Sequence, residues 1–510
     1  MKRSYLYITI FTLTASLVSC DQDFEEVNTN PILPTSIDPD YLFSNALVSS
    51  AFYTIRYEDA IVQQINTPFT GVLQGGNHNV WFEANNTSSN FNTLYGGPVK
   101  LLTEVVNGTK DDPERSNLYN MARIWRAYIF QLLVDTYGYV PYFESGNAYL
   151  SGIYLPKYDA AEDIYEDMLK EVSEAVVALD AAKKVVNGEP FYQGDISKWK
   201  KLGNSLLLRI GMRYTKIDAN KAEEYVIIAT NPANGGVMAS NADNAYLAFN
   251  AIYLNPNTTV FNGTERANFY LAKPFVDHLQ STNDPRLGSI AVKYEIPANP
   301  LATAGAADTD PANQNGMPFG YNEATISSDP DFPGKIGAAW KYSQINRSTL
   351  GKIDAPHYFV TYSQTELLLA EAAFNGWIVA DPVTLYNNGV KAHMDQMAMY
   401  GAAATIPASS QNDYLVASPY NPTTALEQIN TQYWISSFLN GPEAWANFRR
   451  SEFPALTPNP YPSADPEVKG DFIHRLVYPA RERSVNAVNY NDAIARMGED
   501  NMGTRVFWDQ

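Results

Sequence analysis

The sequence predicts a mainly α-helical protein with tetratricopeptide-like helical pairs and a large loop-rich face holding few short strands. Three observations carry this expectation. Apolar residues recur at helical spacing in two long blocks, about residues 41–230 and 363–450. Capping signals stand at the heads of several runs. Between the blocks, from about 231 to 358, Pro, Gly, Asn and Asp crowd together, as in Asn255-Pro256-Asn257 and Asp308-Thr309-Asp310-Pro311.

In the first block, Tyr119 to Tyr137 forms one long segment, closed by Gly138 and then Pro141. Asp159-Ala160-Ala161-Glu162 reads as a capping box. Behind it Ile164, Met168, Val172, Val176 and Leu179 form one apolar stripe. Ile196 to Tyr214 repeats the pattern through Leu202, Leu206, Ile210 and Tyr214. Gly203 and Gly211 lie near one side of that helix, where small residues admit a close neighbour. A glycine there otherwise costs about 1 kcal/mol. In the second block, Ser363-Gln364-Thr365-Glu366 reads as another capping box, and Gly376 as its stop. Asp381-Pro382 supplies an N-cap and a first-turn proline. Further helices start at Thr424-Ala425-Leu426-Glu427 and at Pro442. The middle region holds Tyr294, Tyr321, Trp340 and Tyr342, and disordered segments are poor in aromatics. It is read as an ordered loop-rich face; a linker between two domains is the competing reading.

The first residues form a separate unit. Lys2 and Arg3 precede an apolar run from about Tyr5 to Val18 that ends at Ser19-Cys20. This makes residues 1–19 a secretory signal. The run is too short to span a bilayer, which takes about 20 apolar residues. Leu17-Val18-Ser19-Cys20 resembles a bacterial lipobox, so Cys20 is expected to carry the lipid anchor. Cys20 is the only cysteine, as expected if acylation is its sole use. Residues 20–40 then form anchor and tether. Their acidic stretch, Asp21-Gln22-Asp23-Phe24-Glu25-Glu26, is either a solvated tether or a cue for display on the cell exterior.

Composition excludes several functions. A lone cysteine leaves no disulfide and no zinc–thiolate site. A formal net charge of −19 repels phosphate backbones, so nucleic acid is not an expected partner. No GxGxxG, P-loop, HExxH or GxSxG pattern occurs, and His78, His278, His357, His393 and His474 stand at no ligand spacing. Asp308, Asp310, Asn313, Asn315 and Gly316 approach a calcium loop but miss its spacing, and read as a polar turn. No catalytic residue, metal or cofactor is expected, and the chain is not expected to be an enzyme.

Aromatic residues are the positive signal. Gly75-Gly76-Asn77-His78-Asn79-Val80-Trp81 and Asn92-Thr93-Leu94-Tyr95-Gly96-Gly97 flank one polar loop. Ala339-Trp340-Lys341-Tyr342 lies in the middle region with Arg347 nearby. None of these rings sits on a helix stripe. The candidate ligand contacts are therefore Asn79, Trp81, Tyr95, Trp340, Tyr342 and Arg347. Rings on loops offer flat apolar faces, and amide or guanidinium groups bond hydroxyls or carbonyls, which suits a neutral polar oligomer. The competing reading packs each ring at the edge of a core.

Several stretches together resemble the SusD/RagB family of outer-membrane nutrient-binding lipoproteins. They run in order from Asp23-Phe24-Glu25-Glu26-Val27-Asn28-Thr29-Asn30-Pro31 through Arg126-Ala127-Tyr128 and Asp135-Thr136-Tyr137-Gly138-Tyr139-Val140-Pro141-Tyr142. Next come Leu202 to Arg213, Glu366 to Ala373 with Gly376-Trp377, and Glu443-Ala444-Trp445 with Arg449-Arg450-Ser451 and Pro454. Arg475 to Pro479 and Gly503 to Asp509 close the series. Tyr139 stands where Asp is commoner in the family. The resemblance implies one SusD-like domain, 41–510, that captures ligand without chemistry. It also implies a TonB-dependent outer-membrane transporter (SusC-like) as partner, with this protein as the lid over the barrel. Family motifs mark the scaffold and carry no ligand-site residue. The leading expectation is an oligosaccharide ligand; oligopeptide binding, a glycoside hydrolase and a ligand-free scaffold are the alternatives.

Overall fold

The computed structural model describes residues 37–53, 56–69, 84–297, 307–337, 339–459, 468 and 470–510. The secretory signal, Cys20 and most of the tether lie outside the described residues. The chain is mostly helical, and its strands are two to four residues long. Among the described residues, its α-helices of six residues or more are α1 (Pro39–Ser49), α2 (Arg56–Ile61), α3 (Ala84–Leu94), α4 (Lys100–Thr109), α5 (Ser116–Tyr137), α6 (Ala161–Ala178), α7 (Ile196–Met212) and α8 (Ala219–Thr230). After the middle region come α10 (Tyr362–Phe374), α11 (Pro382–Gln396), α12 (Ala408–Ala417), α13 (Ala425–Ser436), α14 (Gly441–Ser451) and α15 (Ala487–Met497). The middle region contributes α9 (Lys273–Ser281), short 3-10 turns and most of the strands. Neither α9 nor α15 belongs to the blocks expected from sequence.

Helices that follow one another pack together: α5 on α6, α7 on α8, α10 on α11 and α13 on α14. This is the expected pairing. The predicted stripes face the core. Ile164, Met168, Val172 and Val176 of α6 are buried, as are Leu202, Leu206 and Ile210 of α7. α5 ends where expected, with Gly138 at φ 78°, a conformation that favours glycine. Gly203 and Gly211 serve three neighbouring helices rather than one. A Cβ at 203 would collide with Val176 of α6 and approach Ile124 of α5; one at 211 would lie 2.8 Å from Cβ of Tyr225 in α8.

Two capping boxes are displaced. Asp159 does not cap α6, whose N-cap is Ala160 without a side-chain bond. The Asp159 carboxylate instead accepts from the backbone N–H groups of Tyr142 and Phe143, both at 2.9 Å. The second box exists but uses Thr361 and Gln364; Ser363 Oγ donates to the carbonyl of Gly389. Asp381 caps α11 as expected, accepting from Val383 and Thr384.

The family-like stretches meet in a buried charge network. Arg213, the C-cap of α7, lies between Asp135 of α5 (3.3 Å) and Glu443 of α14 (2.8 Å). Arg209 approaches Glu443 at 3.5 Å. Tyr433 donates to Glu443, while Tyr165 and Trp508 Nε1 donate to Asp135. Arg450 pairs with Glu371, and the Arg449 guanidinium lies 3.8 Å from the Trp445 ring centre. These residues join α5, α6, α7, α10, α13, α14 and the C-terminal segment.

Candidate ligand-binding face

Short strands bring two distant stretches together. β1 (Ile65–Asn66) pairs antiparallel with β3 (Tyr270–Leu271). Beside them Ala272 bridges to Met317, and Asn66 Nδ2 donates to the carbonyl of Pro318 at 2.8 Å. Gly316 makes this approach possible, since a Cβ there would lie 2.6 Å from the carbonyl oxygen of Ala272. β6 (Lys335–Ile336) folds back on β7 (Ala339–Trp340).

A second apolar cluster, apart from the main core, forms where these pieces meet. It contains Tyr270, Met317, Ile326, Trp340 and Tyr342, with Phe69, Tyr321 and Phe332 half-buried on its outside. The Phe69 and Trp340 rings meet edge to face at 4.7 Å, and Lys335 Nζ lies 5.0 Å from the Trp340 ring centre. Trp340 N–H donates to the Tyr270 hydroxyl. Tyr342 donates its hydroxyl to Asp329 at 2.7 Å. Burial and that carboxylate raise the Tyr342 phenol well above its ordinary pKa.

The six expected contacts fall in different places. Asn79 and Trp81 lie outside the described residues. Trp340 and Tyr342 are 1% and 2% exposed, so they form the bed under the face, with Tyr321 and Phe332 above. Absence of a helix stripe did not leave these rings free, because paired short strands bury rings too. Tyr95 is not brought to Trp340. It packs on the main core against Phe91 (4.6 Å) and donates to the Pro141 carbonyl (2.6 Å). Arg347 is buried and donates to Pro297 O and Gln344 Oε1. Its guanidinium stacks 4.4 Å from the Tyr294 ring centre. Tyr321 and Phe332 went unselected by sequence reasoning, although Gly320-Tyr321-Asn322 carries the same ring-among-Gly-and-Asn signal used for the others.

Trp340→Ala is expected to lower folding stability by about 3 kcal/mol, the low end for a buried tryptophan because its cluster is small. Urea unfolding of the variant checks this.

The polar turn at 308–316 spends its carboxylates on itself. Asp308 accepts from Asp310 N–H and Asn313 Nδ2, and Asp310 accepts from Ala312 N–H. Among the described residues no His, Cys, Asp and Glu side chains group in a way that could hold a metal ion. Nor is any described helix long and apolar enough to cross a membrane.

The family described as "Starch-binding associating with outer membrane" matches residues 31–479. The chain belongs to the SusD-like family. Among solved structures, this SusD-like chain is similar to a chitin-binding protein at 29% identity and TM-score 0.79, over 93% of this chain and 100% of that one. It is similar to a SusD-like protein of Bacteroidetes AC2a at 26% identity and TM-score 0.79, with the same coverage. A chitin-binding SusD homologue from Flavobacterium johnsoniae shares the fold at 20% identity and TM-score 0.74, over 92% and 97% of the two chains. No curated protein matches. In this SusD-like fold the family-like residues Arg213, Glu371, Glu443, Arg449 and Trp508 are scaffold, and the aromatic face lies apart from them.

Proposed function

We propose that this protein is a lipid-anchored nutrient-binding protein of the outer membrane. It captures oligosaccharides on the cell exterior and delivers them to a TonB-dependent transporter, over whose barrel it acts as a lid. The observation that carries the capture step is the face of half-buried rings, Phe69, Tyr321 and Phe332, seated on the Trp340 cluster. Rings already fixed by a packed bed lose little freedom on binding, and the sugar's C–H face supplies the apolar partner. The names of the chitin-binding structures and the starch-binding family description support a glycan. Asn79 and Trp81 remain contacts in this reading, on the ring-and-amide signal of their own stretch of sequence. Trp340 and Tyr342 act beneath the face, by positioning, whereas Arg347 is held by Pro297 O, Gln344 and Tyr294 outside this cluster.

Capture of this kind transfers no proton and breaks no bond. The ligand exchanges water for ring faces and hydrogen bonds, and release to the barrel reverses that exchange.

A glycan and peptide array with the whole protein tests the ligand class. Glycan hits are expected; peptide hits alone, hydrolysed products or silence would overturn the reading. Tyr321→Ala should weaken binding of the array's best glycan by about 1–3 kcal/mol, on the scale of burying one large apolar side chain. Its unfolding midpoint should stay near that of the parent.

For the anchor, mass spectrometry of the native N-terminal peptide should find acyl groups on Cys20. One chain alone binds membranes marginally, so more than one is expected. Gentle detergent extraction should recover the protein with its barrel, through an interface larger than about 1,600 Å². Recovery of the protein alone would remove the lid role.

A further inference from the structure

We infer that a second saccharide-binding site lies in a cleft of about 850 Å³ between the β-ladder of β2 (Ala245–Leu247) and β9 (His357–Val360) and helix α11. The inference rests on the glycan-capture reading and adds a separate place on the chain; the cleft shares no residue with the Trp340 cluster. Its volume lies in the range of ligand sites, about 300–1,000 Å³.

The floor is aromatic. Tyr246 and Tyr358 are partners across the β2–β9 ladder, with ring centres 5.2 Å apart and planes tilted by 32°. Tyr362, at the head of α10, adds a third ring. Tyr246 and Tyr362 are half-buried, so each is held yet keeps exposed surface. Tyr358 is 8% exposed, and its hydroxyl is buried without a hydrogen-bond partner.

The walls are polar and fixed. Asn388 Nδ2 donates to Glu366 Oε2 at 3.1 Å. Asp395 Oδ1 accepts from Gln411 Nε2 at 2.7 Å. Lys391 Nζ donates to Asn412 Oδ1 at 3.1 Å. Each of these groups has a partner in the fold and keeps further donor or acceptor capacity. Sugar hydroxyls both donate and accept, and the C–H face of a sugar ring lies flat on a tyrosine. A lipid would meet too many polar groups. Two ammonium groups, Lys198 and Lys391, line the cleft, but the Asp395 carboxylate shares it and no guanidinium fork is there to hold a phosphate. A short uncharged saccharide fits best. Two sites on one chain would let a long glycan engage both, so that its affinity exceeds that of either site alone.

The test is calorimetric titration of the detergent-solubilised full-length protein with chitohexaose and with maltohexaose, the polymers suggested by the relatives' names. Two binding events per chain are expected with one of these probes. Tyr362→Ala should weaken one of them at least tenfold. Ala398→Trp, which fills the cleft from an exposed rim position, should abolish the same event without removing packing. Tyr321→Ala should weaken only the other. A single event that Tyr321→Ala weakens and Ala398→Trp leaves intact would overturn this inference and leave the capture reading standing. A single event lost with Ala398→Trp and kept in Tyr321→Ala would uphold the cleft and overturn the loop face. No heat with either hexasaccharide would overturn the cleft proposal, and silence on the full glycan array would overturn the capture reading as well.

Discussion

Glu443→Ala is expected to cost about 3–5 kcal/mol of folding stability, because it removes one partner of a buried ion network and leaves the other behind. The Glu443 side chain is 4% exposed, and that of Arg213, 2.8 Å away, is fully buried. Burial by itself would push the Glu443 carboxyl up. Arg209, Arg213 and the Tyr433 hydroxyl outweigh it and hold the group below its ordinary pKa. Without Glu443, Arg209 keeps its bonds to Phe359 O and Gln364, but Arg213 keeps one carboxylate, Asp135 at 3.3 Å, and the Trp508 ring 5.6 Å away. Urea unfolding of the variant checks the value. Loss of less than about 1 kcal/mol would mean that the network is solvated and that the charges do not depend on each other.

The second large effect is a pH dependence at Glu58. This residue of α2 is fully buried and accepts a hydrogen bond from the Tyr53 hydroxyl at 2.5 Å. Burial is the dominant influence; it exceeds the help from Tyr53 and raises the carboxyl to about 8. The fold therefore favours the protonated acid. Its contribution to stability is complete below the ordinary carboxylate pKa near 4.5 and is lost as pH rises toward 8. At about 1.36 kcal/mol per unit, the loss across that window is about 5 kcal/mol. Asp59 beside it is raised by burial and by Glu58, in the same direction. Glu58→Gln keeps an acceptor for Tyr53 and cannot ionise. Stability of the parent should fall between pH 5 and pH 8, and the variant's curve should be flatter, with the larger gap at pH 8. Parallel curves for the two proteins would show that Glu58 does not titrate in this window.

The helices were legible because their signal is local. The stripe Ile164, Met168, Val172 and Val176 needs only its own spacing to declare a buried face, and Asp381-Pro382 needs only its neighbours to start α11. The displaced caps show where local reading stops. Asp159 had donors at Tyr142 and Phe143 to satisfy, and Ser363 found Gly389, partners that no spacing rule reveals. The candidate face was legible as composition but not as geometry. Whether Trp340 lies under the face or upon it depends on β6–β7 pairing and on Phe69, some 270 residues earlier. Tyr246 and Tyr358 were missed for the same reason: their pairing across the β2–β9 ladder is long-range, and the asparagines around Tyr246, Asn244 and Asn250, do not reveal it.

The charge network also sets an order of events as the chain is made. Asp135 receives the indole N–H of Trp508, a residue 373 positions later, and Arg213 waits for Glu443, 230 positions later. A ribosome or a secretion channel delivers the N-terminal helices first. Until the last segment arrives, α5 and α7 would have to bury a cation and a carboxylate without their full set of partners, a state that water opposes. The early helices therefore gain little by closing ahead of time. The array reaches its full set of partners only when the final residues are in place.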